Sequence, residues 1–308
     1  VAAAGGGINR VFLCNSGTEA VEGALKLARY STGRTDFVAA KRGFHGRTMG
    51  ALSATWNKKY RDPFLPLVPG FRHITYNNLE DLRAAVDGNT AGVLLEVVQA
   101  EGGVHPGSAE FLRGAQDVCR EKGALLILDE VQTGFCRTGR MFAYQHYGLE
   151  PDLVALAKSI GGGIPMGAVL IGGRIREIEP AVHANTFGGN PVTSAAGVAA
   201  VDAYEEERIA EKAAELGAYL TSALRALSAP LIREVRGLGL LVGIEIKQKA
   251  TPYITALAER GVLTLPAGLN VIRLLPPLVI TRPQLDRVVE QIGAVLAGPR
   301  AGEETLRS

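Results

Sequence analysis

Lys158 closes the run Leu153-Val154-Ala155-Leu156-Ala157, the one ammonium in an apolar, strand-like segment that then breaks into Ser159-Ile160-Gly161-Gly162-Gly163. A cationic amine is costly to bury in such a run, so it stands either at a sheet rim in water or in a place kept for chemistry. A second apolar run, Ala124-Leu125-Leu126-Ile127-Leu128, ends in Asp129, with Gln132 three residues on. A lysine and an aspartate at two adjacent strand ends suit pyridoxal phosphate, which needs an amine for its aldehyde and an anion for its ring nitrogen. Gln132 would bond the phenolic oxygen of the same ring. A purely structural reading exists, since an aspartate after an apolar strand often caps the following turn, but it accounts less well for Lys158.

Further segments carry chemistry with more than one reading each. Ser16-Gly17-Thr18 opens a helix and supplies N–H groups, two hydroxyls and the positive end of the helix dipole, the donors a phosphate needs. The same residues also make an ordinary helix cap, with Glu19 in the first turn. Gly43-Phe44-His45-Gly46-Arg47-Thr48 puts an aromatic ring, an imidazole and a guanidinium in one loop. That loop could stack on a flat cofactor and hold a carboxylate, or be a core phenylalanine beside a solvated histidine and arginine. Thr186 lies in a flexible glycine loop that either approaches a phosphate or turns the chain. Glu96, Gln99 and Glu101 follow another strand. Arg273, a lone charge in an apolar strand, suits a substrate carboxylate or an acidic partner such as Glu101.

The elements that must position these residues follow from periodicity. Strand-like runs fall at 10–15, 37–40, 92–98, 125–128, 153–157 and 168–171, and helical spacing follows Ser16 and covers 79–86 and 110–122. Strands alternating with helices predict an α/β domain with a mostly parallel central sheet and ligands at the carboxyl ends of its strands. After Asn190-Pro191 one long alanine-rich helix is expected to run through Glu205-Glu206-Glu207 toward Ser228. Beyond it, short strands at 232–246 and 262–280 and a closing helix at 282–296 predict a smaller α+β unit. The boundary is placed near residue 205, giving a large cofactor-binding domain over 1–205 and a small domain over 206–308.

At 308 residues and 47% hydrophobic, the chain can bury a sizeable core. Thirty-three basic against 31 acidic residues, without blocks of like charge, give no footprint for nucleic acid or a membrane surface. No apolar run approaches the roughly 20 residues that span a bilayer. Cys14, Cys119 and Cys136 are odd in number and form no CxxC pair, which points to a reducing cytoplasm and away from a disulfide framework or thiolate metal site. No metal is expected.

Taken together and in order, Asn-Ser-Gly-Thr-Glu-Ala-Val-Glu, Phe-His-Gly-Arg-Thr, Leu-Ile-Leu-Asp-Glu-Val-Gln-Thr-Gly, Ala-Lys-Ser-Ile-Gly-Gly-Gly-Ile-Pro-Met-Gly and Thr-Phe-Gly-Gly-Asn-Pro closely resemble the class III aminotransferases of the aspartate aminotransferase-like fold type I. The match runs over essentially the whole chain. Within the class it resembles the acetylornithine group, including the branch acting on lysine or ornithine intermediates attached to an acidic amino-group carrier protein. The stretches nearest that branch are Lys59-Tyr60-Arg61-Asp62-Pro63-Phe64-Leu65-Pro66-Leu67 and Arg233-Glu234-Val235-Arg236-Gly237-Leu238-Gly239.

The resemblance implies that Lys158 joins the cofactor aldehyde and shuttles the proton, Asp129 binds the pyridine nitrogen, Gln132 the ring hydroxyl, and Phe44 stacks on the ring. Ser16, Gly17 and Thr18 would bind the phosphate in one subunit and Thr186 the phosphate held by the other, in a homodimer with a shared active site. Arg47 would hold a distal substrate carboxylate and Arg273 the α-carboxylate of glutamate or 2-oxoglutarate. Glu101 would pair with Arg273 when the ω-amino donor is bound. The implied reaction moves the terminal amino group of N-acetylornithine, or of carrier-linked lysine or ornithine, to 2-oxoglutarate, giving a semialdehyde and glutamate in arginine or lysine biosynthesis. The alternatives are another ω-amino acid aminotransferase, or an inactive truncated paralogue retaining the cofactor site.

Three departures from the family pattern stand out. Val97 and Ala100 replace a usual proline and glycine around the Glu101 loop, and Cys136 replaces a usual glycine, which would put a thiol near the cofactor. The family also carries an amino-terminal segment ahead of the position where Val1 stands; that segment completes the small domain, lines the substrate entrance and packs across the dimer.

Overall fold

Apolar runs that alternate two inward faces build the centre of the molecule, and the computed structural model describes residues 1–5 and 7–297. Strands β1 (Ile8–Cys14), β2 (Asp36–Ala40), β3 (Phe71–Ile74) and β4 (Thr90–Glu96) come first. A two-residue hairpin of β5 (Val98–Gln99) and β6 (His105–Pro106) follows, then β7 (Leu125–Asp129), β8 (Leu153–Leu156) and β9 (Gly167–Gly172). The main sheet has the order β1-β9-β8-β7-β4-β2-β3. Its pairs are parallel except where β9 runs against β8 and β1.

Every residue of β4, β7 and β8 is buried, because helices cover both faces of the sheet. Leu126 and Leu128 face the side covered by helix α5 (Ala109–Lys122), with Phe111 and Leu112. Leu125 and Ile127 face the side covered by helix α1 (Gly17–Thr32), with Val21 and Leu25. Helices α2 (Met49–Ala54), α3 (Lys58–Arg61) and α4 (Leu79–Ala85) line the edge toward β3. Glu22 of α1 accepts hydrogen bonds from Thr48 Oγ1 (2.6 Å), Gly50 N (2.8 Å) and Ala51 N (3.1 Å). It thereby caps α2 and fixes the loop that precedes it.

The long helix expected after Asn190 is two helices, α6 (Pro191–Glu206) and α7 (Ile209–Arg225). Three consecutive glutamates load negative charge onto the C-terminal end of α6, where the helix dipole is already negative, and Arg208 turns left-handed (φ 53°) to start a new direction. The expected strand at 92–98 likewise ends at Glu96, with Val98–Gln99 leaving as the hairpin. Several short elements carried too weak a pattern to be expected, among them α2, α3, β3 and the helix α8 (Thr251–Glu259). β3 is a short edge strand with two polar residues, and α8 contains β-branched residues and has Pro252 in its first turn, where a proline is accommodated.

The second sheet is antiparallel, in the order β10-β11-β13-β12, from β10 (Ile232–Leu238), β11 (Leu241–Ile246), β12 (Leu265–Ala267) and β13 (Val271–Leu274). Its core of Val235, Ile244 and Ile272 packs on Leu220 of α7 and on Leu285 and Ile292 of α9 (Arg282–Leu296). Two arginines, the buried Arg236 and the half-buried Arg137, tie the two sheets together. Arg236 donates to Gly103 O (2.8 Å) and Val104 O (3.1 Å) of the hairpin turn, and Arg137 to Pro276 O (2.6 Å) and Leu240 O (3.2 Å).

Candidate active site

The carboxyl ends of β4, β7 and β8 open into a cavity of about 490 Å³. Ser16, Gly17, Thr18, Phe44, Arg47, Glu101, Asp129, Gln132 and Lys158, separated by up to 142 residues in sequence, all border it. The crossovers of a parallel sheet bring them there, because each strand delivers its following loop to the same edge.

Asp129 is 5% exposed and sits in register with Glu96 on the neighbouring strand. Its Oδ2 lies 2.8 Å from His45 Nδ1 and its Oδ1 accepts from Val131 N at 3.1 Å. Two of the roughly four lone-pair sites of a carboxylate are thus used, and the rest are free for a further donor. Burial alone would lower the His45 pKa, but the hydrogen bond and charge of Asp129, with the charge of Glu96, raise it above its ordinary 6.5. His45, 3% exposed, is therefore a buried partner of Asp129, and the solvated histidine considered from sequence is not what forms. Glu96 is pushed up to about 7, chiefly by burial, while His45 and the N–H groups of Phe44 and Ala100 pull it back.

Lys158 follows β8 with a left-handed backbone (φ 51°), a strained conformation for a lysine, and borders the cavity. Its side chain remains reachable by water through the open cavity, yet the surrounding walls desolvate the ammonium. Its pKa is lowered accordingly, against the opposing charges of Asp129, Glu101 and Glu96 and with the help of Arg273. An amine held below its ordinary pKa is a better nucleophile and proton carrier near neutrality.

Ser16 caps α1 through its Oγ, which accepts from Glu19 N at 3.3 Å. The cap and anion readings therefore coexist, the following N–H groups remaining at the helix start. Gly17 packs so closely that a Cβ there would lie 2.8 Å from Val131 Cγ1, which brings backbone to the cavity edge. Phe44 meets Tyr60 edge-on at 5.9 Å, and the Arg47 guanidinium lies 4.2 Å over the Tyr60 ring.

Arg273, 4% exposed on β13, borders an adjoining cavity that shares Lys158, Glu101 and Gln132. Its Nη2 lies 2.8 Å from Glu101 Oε1, and its Nη1 donates to Gln132 Oε1 at 3.0 Å. Val97 and Ala100 leave that pairing intact, since both side chains are fully buried and the turn still delivers Glu101. One expected placement differs, that of Cys136, and Thr186 stands apart from the cavity of its own chain. Thr186 does not border the Lys158 cavity but lies exposed in the segment between β9 and α6. Cys136, expected near the cofactor, does not border the cavity: it is buried with φ 69°, the left-handed region that favours glycine, and burial pushes its thiol up to about 11.

The class-III aminotransferase family model matches residues 1–296. The chain belongs to the class-III aminotransferases. It is 54% identical over 302 residues to a [LysW]-aminoadipate semialdehyde transaminase of Deinococcus radiodurans, covering 97% of this chain and 70% of that relative. It is 46% identical over 285 residues to an acetylornithine aminotransferase of Methanosarcina acetivorans, covering 92% and 72%. An ornithine aminotransferase from Toxoplasma gondii, with pyridoxal phosphate at partial occupancy in its active site, superposes with a TM-score of 0.90 at 35% identity, covering 95% of this chain and 73% of that one.

This class-III aminotransferase is a pyridoxal-phosphate-dependent transaminase of amino-acid biosynthesis, with the aspartate aminotransferase-like fold type I architecture. The donor set fits the cofactor: an amine of lowered pKa, a buried carboxylate with spare lone pairs, an aromatic face, and a helix start where the backbone comes close. Among the described residues, no group of three or more His, Cys, Asp and Glu could hold a metal ion, and no helix is long and apolar enough to cross a membrane.

The His45 pair has a measurable pH signature. Because the folded-state pKa is raised, its stabilisation is complete below 6.5 and fades as pH rises through the raised value. His45→Phe should lower unfolding stability at pH 6 by roughly 1 to 3 kcal/mol, with a smaller deficit at pH 9. Denaturant unfolding at both pH values measures this, and a deficit that does not change with pH would mean that the histidine is neutral throughout.

Proposed function

We propose that this enzyme moves the terminal amino group of N-acetylornithine, or of lysine or ornithine linked to a carrier protein, to 2-oxoglutarate, releasing a semialdehyde and glutamate for arginine or lysine synthesis. The observation that carries this reading is the Glu101–Arg273 pair at 2.8 Å beside Lys158. A buried arginine needs a carboxylate partner: glutamate brings one beside its reacting amine, and an ω-amino donor does not. With Glu101 in place no unpaired cation is left when the ω-amine enters, and with Glu101 turned away Arg273 takes the α-carboxylate of glutamate as a charge-assisted pair. The names of the two relatives, an acetylornithine and a LysW-linked transaminase, point to the same substrate class.

When bound, the cofactor supplies an electron sink for a carbanion at the substrate carbon. Asp129, oriented by its bond to His45, would hold the pyridinium proton, and Gln132 would bond the ring hydroxyl after exchanging its bond to Arg273. Phe44 would stack on the ring, and Ser16, Gly17 and Thr18 would bind the phosphate. Lys158 Nζ would accept the proton from the substrate carbon and return it. Arg47, exposed at the mouth, would take the distal carboxylate.

The same reading makes the enzyme a cytoplasmic homodimer with a large domain over 1–205 and a small one over 206–308. Supporting the dimer are the exposed Phe187 (71%), Val192 (72%) and Val198 (62%) beside Thr186, which would complete the phosphate site of the partner subunit. Supporting the division is the break between α6 and α7, and supporting a reducing compartment are three buried free cysteines. An acidic carrier is supported by Arg42, Lys58 and Lys59, exposed along a second cavity that shares Phe44 and Glu101 with the first.

Borohydride reduction of the holoenzyme followed by peptide mapping should place the pyridoxyl group on Lys158; a label on Lys26 or Lys41 would overturn the site. Mixing inactive Lys158→Ala and Thr186→Ala chains should restore one working site per heterodimer, and reassociated dimers with no activity would rule out the shared site. Glu101→Ala should slow the N-acetylornithine stage more than the glutamate stage, by about 1 to 3 kcal/mol in single-turnover absorbance measurements. Equal losses in both stages would remove the switch from this reading.

A further inference from the structure

Two loops meet at the cavity from different parts of the chain. One runs from Lys41 to Arg47 after β2 and carries Phe44, His45 and Arg47. The other leaves β4 and carries Glu101. Glu96 stands between them at the end of β4, 6% exposed, with its two oxygens divided: Oε1 accepts from Phe44 N at 3.0 Å and Oε2 from Ala100 N at 3.1 Å.

Neighbouring contacts run in the same direction. Gln99 Nε2 donates to Lys41 O at 2.9 Å, and Gly102 approaches the first loop so closely that a Cβ would meet Arg42 O at 2.7 Å. The strand end itself is held separately, through Tyr76 Oη donating to Glu96 O at 2.6 Å. The side-chain carboxylate is therefore not needed to fix its own backbone. It joins two others, and a carboxylate suits that task because both its oxygens accept, whereas a carboxamide offers one acceptor and one donor.

We propose that Glu96 is a positioning residue that clamps the Phe44 loop to the Glu101 turn, so that the group facing the cofactor ring and the group neutralising Arg273 keep a fixed relation. Loosening the clamp releases Glu101 from its place against Arg273 while leaving Arg273 able to take a carboxylate. Loss of Glu96 then falls more heavily on the ω-amine stage than on the glutamate stage. This consequence rests on the Glu101 switch proposed above; the clamp itself rests only on the two hydrogen bonds.

The test uses the holoenzyme and two readouts. In hydrogen exchange, Glu96→Ala removes both acceptors, and exchange should quicken by roughly ten- to hundredfold in the segments holding both Phe44 and Ala100, the expected weight of a hydrogen bond to a charged group. Glu96→Gln keeps the volume and one acceptor and should quicken exchange in one of the two segments, so it carries the test if the alanine variant fails to fold. Tyr76→Phe, which touches only the strand end, should leave both segments protected.

In single-turnover kinetics, Glu96→Gln should slow the N-acetylornithine stage several-fold more than the glutamate stage, and the excess should vanish in a Glu101→Ala background, as coupled residues require. Unchanged exchange in both Glu96 variants overturns the clamp. Changed exchange with equal loss in both stages, while Glu101→Ala alone shows its split, overturns the positioning role. If Glu101→Ala itself shows no split, the switch is what fails, and exchange alone then decides the clamp.

Discussion

Burial of ionisable groups at the carboxyl ends of adjacent parallel strands is the constraint on which the active site depends. Glu96 and Asp129 sit side by side in register at the ends of β4 and β7, both nearly shut off from water. Two carboxylates so placed repel, and burial penalises each. His45 relieves this by bonding Asp129 and lending positive charge to both, while Glu96 is compensated by two backbone N–H groups. The outcome is asymmetric: Glu96 moves to about 7, and Asp129 has the imidazole beside it. Asp129 keeps lone pairs to spare at the cavity, whereas both side-chain oxygens of Glu96 are taken up by backbone donors.

A second buried charge couples the two sheets. Arg273 belongs to the antiparallel sheet, but its partners Glu101 and Gln132 come from loops of the main sheet. An arginine with two acceptors from another layer fixes the layers at a cavity that Lys158 also borders. Arg236 and Arg137 perform the permanent version of the same task, bonding backbone carbonyls that do not leave.

Backbone strain is distributed in keeping with this. Lys158 and Val104 adopt left-handed conformations, with φ of 51° and 53°. A β-branched residue such as Val104 is held there at a cost of order 1 kcal/mol or more, offset by its complete burial and by Arg236 on its carbonyl. Val104 lies in the turn that Arg236 holds, and Lys158 borders the cavity itself. Cys136 bears the same conformation without facing it, and nothing in the structure gives its side chain a chemical task.

From the sequence alone, the apolar strands, their alternation with helices and the residue types at their ends were legible, because continuous apolar runs and the polar residues that end them are local signals. Lys158 and Asp129 were identified as a pair on that basis, and the ordered motifs implied the family. The helix break at Glu207-Arg208, the edge strand at Phe71–Ile74 and the short helix at Thr251–Glu259 were not legible, since local composition there is balanced between states. Only the tertiary structure decided that His45 belongs to Asp129, that Glu96 bridges two loops, and that Thr186 stands away from the Lys158 cavity while Cys136 lies outside it. Those outcomes depend on strand order and register, which bring together residues up to 84 positions apart in the His45–Asp129 bond and no local pattern encodes.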